Sequence, residues 1–401
     1  MPQRPSTTSA VAGVTMVTAG SMIANVASYL LHLPASRWLG PAGYGEFASL
    51  LAAQLVLAVP ALALQTVAAR EVVHGRSIRA VRVLGNRCTA IVAALALTLA
   101  PAVSWGLDTG MWSTFAALVT APMLVLLATE QGLLQGAGRF GELSVVLAGA
   151  GIGKVLPAVV VLCLGGGPGF ALAASAAGTA VVALTARILA GHSNGESAPS
   201  RIGVGAVLAA SQVQLALIAL SSMDLVIARM VLANDDAGLY ALGAVATKVA
   251  FWLPQAVGVV LYPKMASPDH SAGAVRSALA VLVGLGAVLV LGVAIASPLV
   301  PMLVGSDYAP VQSLLWLFAL HGACLAVLQG ALLSVIAGDR THLAGVAWIG
   351  LLLEMVLVVT VASTLTQLVG IAVTVASVTA LVVSALSLRA ASKPQPGVPV
   401  Q

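Results

Sequence analysis

Charge is scarce in this chain. Asp, Glu, Lys and Arg make up 8% of its 401 residues, against about 25% in an ordinary soluble domain. So little charge beside 60% hydrophobic residues excludes water as the solvent of most of the surface. Aromatic residues are only 4% and do not interleave with the basic ones, which argues against a nucleic-acid surface. The three cysteines, Cys88, Cys163 and Cys324, stand singly in or beside apolar segments. With no CxxC and no Cys/His cluster, neither a disulfide framework nor a metal site is expected. The six histidines (His32, His74, His192, His270, His321 and His342) are dispersed. No Ser/His/Asp arrangement and no phosphate loop is visible, so no enzyme and no cofactor is expected.

What the chain does have is long apolar runs. Mean hydropathy is +1.04. The runs last about 20–28 residues without strict alternation, which fits helices crossing a bilayer and not the strands of a barrel. The first, from Ala10 to Leu33, is too long for a signal-peptide core and reads as a spanning helix. The expected fold class is therefore all-α integral membrane, with about twelve helices near 11–33, 45–69, 86–106, 111–135, 142–164, 168–190, 202–232, 238–264, 273–301, 310–337, 343–365 and 368–389. Breakers such as Gly40-Pro41 and the stretch from Ser193 to Pro199 mark the loops.

Basic residues orient these spans. Of the 18 Lys and Arg, 14 fall in alternate loops beginning at the N-terminus, with the densest run from Arg70 to Arg87; the opposite loops hold only Arg37 and Arg229, and Lys154 and Lys248 lie within helices. Cytoplasmic loops are enriched in Lys and Arg, so both termini are expected in the cytoplasm. The Arg70–Arg87 run is expected to anchor the chain at lipid headgroups. The pI of about 9.4 follows from this topology.

The sequence also repeats itself. Residues 36–48, SRWLGPAGYGEFA, resemble 228–241, ARMVLANDDAGLYA, and Gln131 to Gly138 resemble Gly330 to Gly338. Pro60 matches Pro254 in the second and eighth helices. Two six-helix halves, 1–195 and 196–401, are expected, in the same orientation. The repeat pairs His32 with Asp224, Arg37 with Arg229, Gln54 with Lys248, and Lys154 with Glu354. Glu130 falls beside Gln329 in the same alignment. Five polar coincidences in one order suggest two lobes facing a shared wet space.

Several pieces in sequence carry a family resemblance. They are Arg37-x-Leu39-Gly40-Pro41-x-Gly43-Tyr44-Gly45-x-Phe47; Gly132-Leu133-Leu134-Gln135-Gly136 with Gly138-Arg139-Phe140; Asp224-Leu225-x-Ile227-x-Arg229; Ala237-Gly238-Leu239-Tyr240-Ala241; and Val304-Gly305-x-x-Tyr308. Together they resemble the polysaccharide-biosynthesis membrane proteins, the O-antigen-type oligosaccharide flippases, of the superfamily that also holds multidrug extruders and lipid II flippases. The turn Asn234-Asp235-Asp236 departs from the family pattern. The resemblance implies two six-helix lobes forming a V around a central cavity. It implies a polyprenyl-diphosphate-linked oligosaccharide passed from the cytoplasmic to the outer face of the plasma membrane by alternating access. Its implied partners are that lipid-linked substrate, membrane lipids and other polysaccharide-assembly membrane proteins.

Polar groups inside the bilayer are costly, about 2.5–3.5 kcal/mol each on insertion scales, and so face a cavity or a partner. Lys154 and Lys248 are candidates to bind a diphosphate or an acidic sugar, since Lys offers a compact charge with three donors; an interhelical ion pair is the alternative for each. Gln54 and Gln255 are candidates for sugar hydroxyls, and Arg37 and Arg229 for an outer-face diphosphate or a headgroup anchor. Glu354, Asp224 and Glu130 are candidates for coupling or gating with H+ or Na+. Glu354 is alternatively a static buried pair, Asp224 a pair with Arg229 or Arg37, and Glu130 a pair with Arg139 or the arginine-rich loop. A multidrug/cation antiporter of the same superfamily is the main rival function. A membrane glycosyltransferase or polymerase of the pathway is disfavoured, because the outer loops are too short to carry catalytic acids.

Overall fold

The computed structural model describes residues 7–191, scattered positions between 204 and 219, and residues 221–252, 271–337 and 344–391. Every regular element among them is helical. Eight apolar helical stretches are long enough to cross a membrane, and Gly345–Val361 is a shorter apolar helix. They expose large apolar side chains such as Trp105, Leu164, Ile188 and Ile295, an outward face that only lipid solvates well.

The chain divides into two compact units, Met1–Leu215 and Ala216–Gln401. The first holds α1 (Thr7–Leu30), α2 (His32–Leu57), α3 (Val59–Val73), α4 (Ile78–Gly106), α5 (Met111–Leu118), α6 (Thr120–Gly136), α7 (Phe140–Cys163) and α8 (Pro168–Ala190). Val204 and Val207 pack against the apolar cluster of Ala58, Leu64, Cys88 and Val125, so the chain beyond α8 is still part of this unit's core. The second unit holds α9 (Met223–Val231), α10 (Asn234–Trp252), α11 (Ser271–Ala296), α12 (Val300–Val304), α13 (Leu315–Ala337), α14 (Ala344–Val361) and α15 (Leu365–Ala391).

Three features differ from the sequence expectation. The stretch 34–44, expected as a loop, is helical on both sides of a break at Gly40. Gly40 takes φ +66°, ψ 176°, a left-handed conformation open to glycine, and Pro41 begins the next segment. The 59 residues from Thr15 to Val73 form one helical stretch; unbroken, it would be about 90 Å long at 1.5 Å per residue, three times the hydrocarbon thickness. The second and fourth expected spans are each two helices. Pro60 and Pro122 have no N–H to return to the preceding turn, and the helices restart just before them, at Val59 and Thr120. Third, Arg79, Arg82 and Arg87 lie on α4, which begins at Ile78 under a Ser77 cap, and not in a loop. Arg82 is buried rather than anchored at headgroups.

Small residues bring the helices together. On α6 the Gly132-x-x-x-Gly136 pair lies against Ala68 and Ala69 of α3 so closely that a Cβ on either glycine would collide with α3 backbone. Gly178 of α8 meets the Gly153 carbonyl of α7 in the same way, and Gly322 of α13 meets the Thr247 carbonyl of α10. Lipid tails are as apolar as Leu, so helix association in a bilayer rests on such close van der Waals contact.

Candidate functional site

The N-terminal unit closes its buried charge. Arg82 donates from Nε to Oε1 of Glu130 at 2.9 Å and from Nη2 to Oε2 at 2.7 Å. The same guanidinium donates to the carbonyls of Gly191 and Arg187, both at 2.9 Å. Arg139 holds the carbonyls of Leu189 and Ala190 and pairs with Glu142. The last carbonyls of a helix lack internal donors and carry its negative end; here two arginines supply what α8 lacks. Glu130, a coupling candidate, is thus held by the arginine-rich segment, with Arg187 Nη1 at 4.0 Å.

The other N-terminal candidates are spread out. Gln54 is buried on α2, and its Oε1 accepts no hydrogen bond among the described residues. Lys154 is half-buried on α7, beside Ser175, whose hydroxyl donates to the Lys154 carbonyl at 2.8 Å. Arg37 is exposed.

The C-terminal unit gathers its polar groups. Asp224, on the first turn of α9, accepts at Oδ1 from the Leu225 N–H (2.8 Å) and at Oδ2 from the Tyr240 hydroxyl of α10 (2.7 Å). His321 of α13 is fully buried with Nδ1 3.9 Å from Asp224 Oδ2, and neither ring nitrogen has a hydrogen bond among the described residues. Glu354 of α14 is buried with both carboxylate oxygens equally unbonded. Helix α14, which carries Glu354, packs against α9, and α10, which carries Lys248, packs against α13.

Local packing fixes this arrangement. The Tyr240 ring stands edge-on to Phe318 at 5.0 Å. The Phe318 carbonyl accepts from the Thr247 hydroxyl at 2.9 Å, and Gly322, next to His321, permits the α10–α13 approach. Lys248 is half-buried one residue after Thr247. Arg229 is buried on α9. Gln255 and Pro254 lie outside the described residues.

The two units share one construction. In the first, His32 Nδ1 and the Tyr44 hydroxyl lie 2.7 Å apart; in the second, Tyr240 reaches Asp224 at the same distance. The residues that the repeat pairs, His32 and Asp224, each meet a tyrosine from the first turns of the following helical segment.

Tyr240 and His321 were not singled out from the sequence. His321 had a signal: it interrupts an otherwise apolar helix, where an ionisable group is functional by default. Among the described residues no three His, Cys, Asp or Glu side chains converge to hold a metal ion. The groove between α14 and α15, about 310 Å³ and lined by residues such as Leu357, Ile371 and Val375, holds no titratable group and stands apart from this chemistry.

No protein-family model matches the chain, and no curated protein matches it. Solved structures do resemble it. The chain is similar to an inward-facing multidrug resistance MATE family transporter of the MOP superfamily, with TM-score 0.74 and 12% identity over 95% of this chain and 98% of that one. It is similar to the lipid II flippase MurJ in an inward closed conformation, with TM-score 0.75 and 10% identity over 94% of this chain and 87% of that one. A MOP superfamily transporter from Pyrococcus furiosus matches at TM-score 0.54 and 15% identity over 95% and 96% of the two chains. The fold is that of these membrane transporters, and none of the three is an enzyme.

Proposed function

We propose that this chain is a membrane transporter that flips a polyprenyl-diphosphate-linked oligosaccharide from the cytoplasmic to the outer face of the plasma membrane by alternating access. The observation that carries this reading is the presence of two lysines, Lys154 and Lys248, on apolar helices of a fold shared with a lipid II flippase. A lysine so placed is costly in lipid and suits a diphosphate as a compact three-donor cation. Arg37 and Arg229 are suited to the diphosphate at the outer face, and Gln54 and Gln255 to sugar hydroxyls. Asp224 and Glu354 serve coupling to a cation, H+ or Na+, with Glu130 fixing the N-terminal unit. Both termini are cytoplasmic in this reading, and the partners are other polysaccharide-assembly membrane proteins.

The likeness to a multidrug transporter favours a second reading, export of cationic drugs coupled to the same carboxylates. Reconstitution separates the two. Purified protein in liposomes is given a fluorescent undecaprenyl-diphosphate-linked oligosaccharide, and transfer across the bilayer is followed for wild type and Lys248→Ala. The expected result is transfer by wild type that falls at least about tenfold in the variant, about 1.4 kcal/mol of lost binding or transition-state stabilisation. Absence of transfer with several glycans, together with proton-driven efflux of cationic dyes, would replace the flippase with the exporter.

A further inference from the structure

Asp224 is well supplied with donors, whereas its neighbours are not. One oxygen is held by the Leu225 N–H and the other by Tyr240, so its geometry is fixed. His321 sits 3.9 Å from the tyrosine-bonded oxygen, and neither of its nitrogens is hydrogen-bonded among the described residues. A buried imidazole without any hydrogen bond costs free energy in the resting arrangement. A shift of about 1 Å would bring Nδ1 within hydrogen-bond distance of the carboxylate.

The surrounding charge decides what the shift requires. From α9 the groups are Asp224 and, a turn and a half later, Arg229; from α10, Asp235 and Asp236 in its first turn, then Tyr240 and Lys248; from α14, Glu354. On α13 itself the remaining titratable group is Cys324. The short helical turn before α13 carries Asp307 and Tyr308. Helices α11 and α15 bring only Arg276 and Arg389, near their ends. A proton on the imidazole would place a positive charge and a hydrogen-bond donor 3.9 Å from the Asp224 carboxylate oxygen.

We infer that His321 is the group that binds the coupling proton, held as imidazolium against Asp224, and that Tyr240 positions the carboxylate for it. The step is a simple protonation: a proton from the aqueous phase on one side adds to a ring nitrogen, Asp224 balances the new charge, and the proton leaves to the other side when the cycle turns. This inference rests on the transporter reading above and names its coupling ion.

The test has an arm that needs no substrate. Detergent-solubilised wild type and His321→Gln are titrated between about pH 5 and 8, the range in which histidine changes charge, in sodium chloride and in choline chloride. Wild type should take up about one more proton per chain than the variant, equally in both salts. Asp224→Asn keeps an acceptor for Tyr240 but no charge for the imidazolium, and should show the same loss; it decides the matter if His321→Gln does not fold. Identical titration of wild type and variant, or uptake that sodium suppresses, overturns the inference. In liposomes, an imposed pH gradient should accelerate transfer by wild type and not by His321→Gln. A chain that moves no glycolipid but shows the one-proton difference keeps the proton site and loses the flippase reading.

Discussion

Glu130 and Glu354 are both carboxylates buried on apolar helices, one in each unit, and their surroundings are opposite. Both Glu130 oxygens are bonded by Arg82, whose other donors go to the end of α8. Among the described residues neither Glu354 oxygen is bonded, and neither nitrogen of His321 is. A satisfied buried network is rigid, because any movement strands a charge. An unsatisfied one has a second arrangement to gain from, which is what a coupling site requires: two states whose balance a ligand shifts. The comparison sets a satisfied N-terminal ion pair against C-terminal groups that, in the proposed reading, are the ones that switch.

The same substitution in both places gives the largest expected contrast. Glu130→Gln leaves Arg82 buried without its counter-ion, and breaking such a pair costs about 3–5 kcal/mol. Glu354→Gln replaces a buried carboxyl group that has no hydrogen bond among the described residues, so its cost is near zero or it stabilises. Thermal unfolding of the two variants in detergent measures this directly. Equal losses would erase the distinction between the units, whatever the transport phenotype.

The shared tyrosine construction gives a smaller contrast. Tyr240→Phe withdraws a donor from a buried carboxylate, where hydrogen bonds to a charged group are worth about 1.5–3 kcal/mol; Tyr44→Phe removes the hydroxyl that shares a hydrogen bond with a half-buried imidazole, where about 0.5–1.5 kcal/mol is expected. Unfolding temperatures in detergent order the pair. If Tyr44→Phe proves the more damaging, Asp224 is not the more tightly held partner.

Much of this was legible from the sequence, for reasons that can be named. Apolar run length gives all-helical spans because lipid leaves the backbone no other partner, and most helix limits fall within a few residues of expectation: α8 begins at Pro168 and ends at Ala190 as read. The breaks at Ala58 and Val119 escaped because an apolar run does not show where a proline interrupts the ladder without leaving the membrane. Arg82 escaped because the run from Arg70 to Arg87 reads as uniform, while the helical turn from Ile78 points one arginine of that run inward. Asp224 and Glu354 were visible as ionisable groups in apolar surroundings. His321 was equally visible but was weighed with the scattered histidines, since nothing in linear order links it to Asp224, 97 positions earlier. The close approach of α10 and α13 at Gly322, with Tyr240 of α10 bonded to Asp224, brings them together.

The smallest expected effect sharpens the same comparison from within the N-terminal unit. Glu142 pairs with Arg139 three residues before it, a geometry that superficially matches the pairing of Glu130 with Arg82. The difference is solvent. The Arg139 and Glu142 side chains are 38% and 39% exposed, against 8% and 3% for Arg82 and Glu130. Water screens the outer pair, and Arg139 retains the carbonyls of Leu189 and Ala190 when its partner is neutral. Glu142→Gln should therefore cost less than about 1 kcal/mol, and its effect should shrink further in high salt, whereas the loss in Glu130→Gln should be nearly independent of salt. Unfolding temperatures of both variants at low and high ionic strength supply the four values needed. A salt-sensitive loss at Glu130 would mean that water reaches the Arg82 pair and that the N-terminal network is not closed.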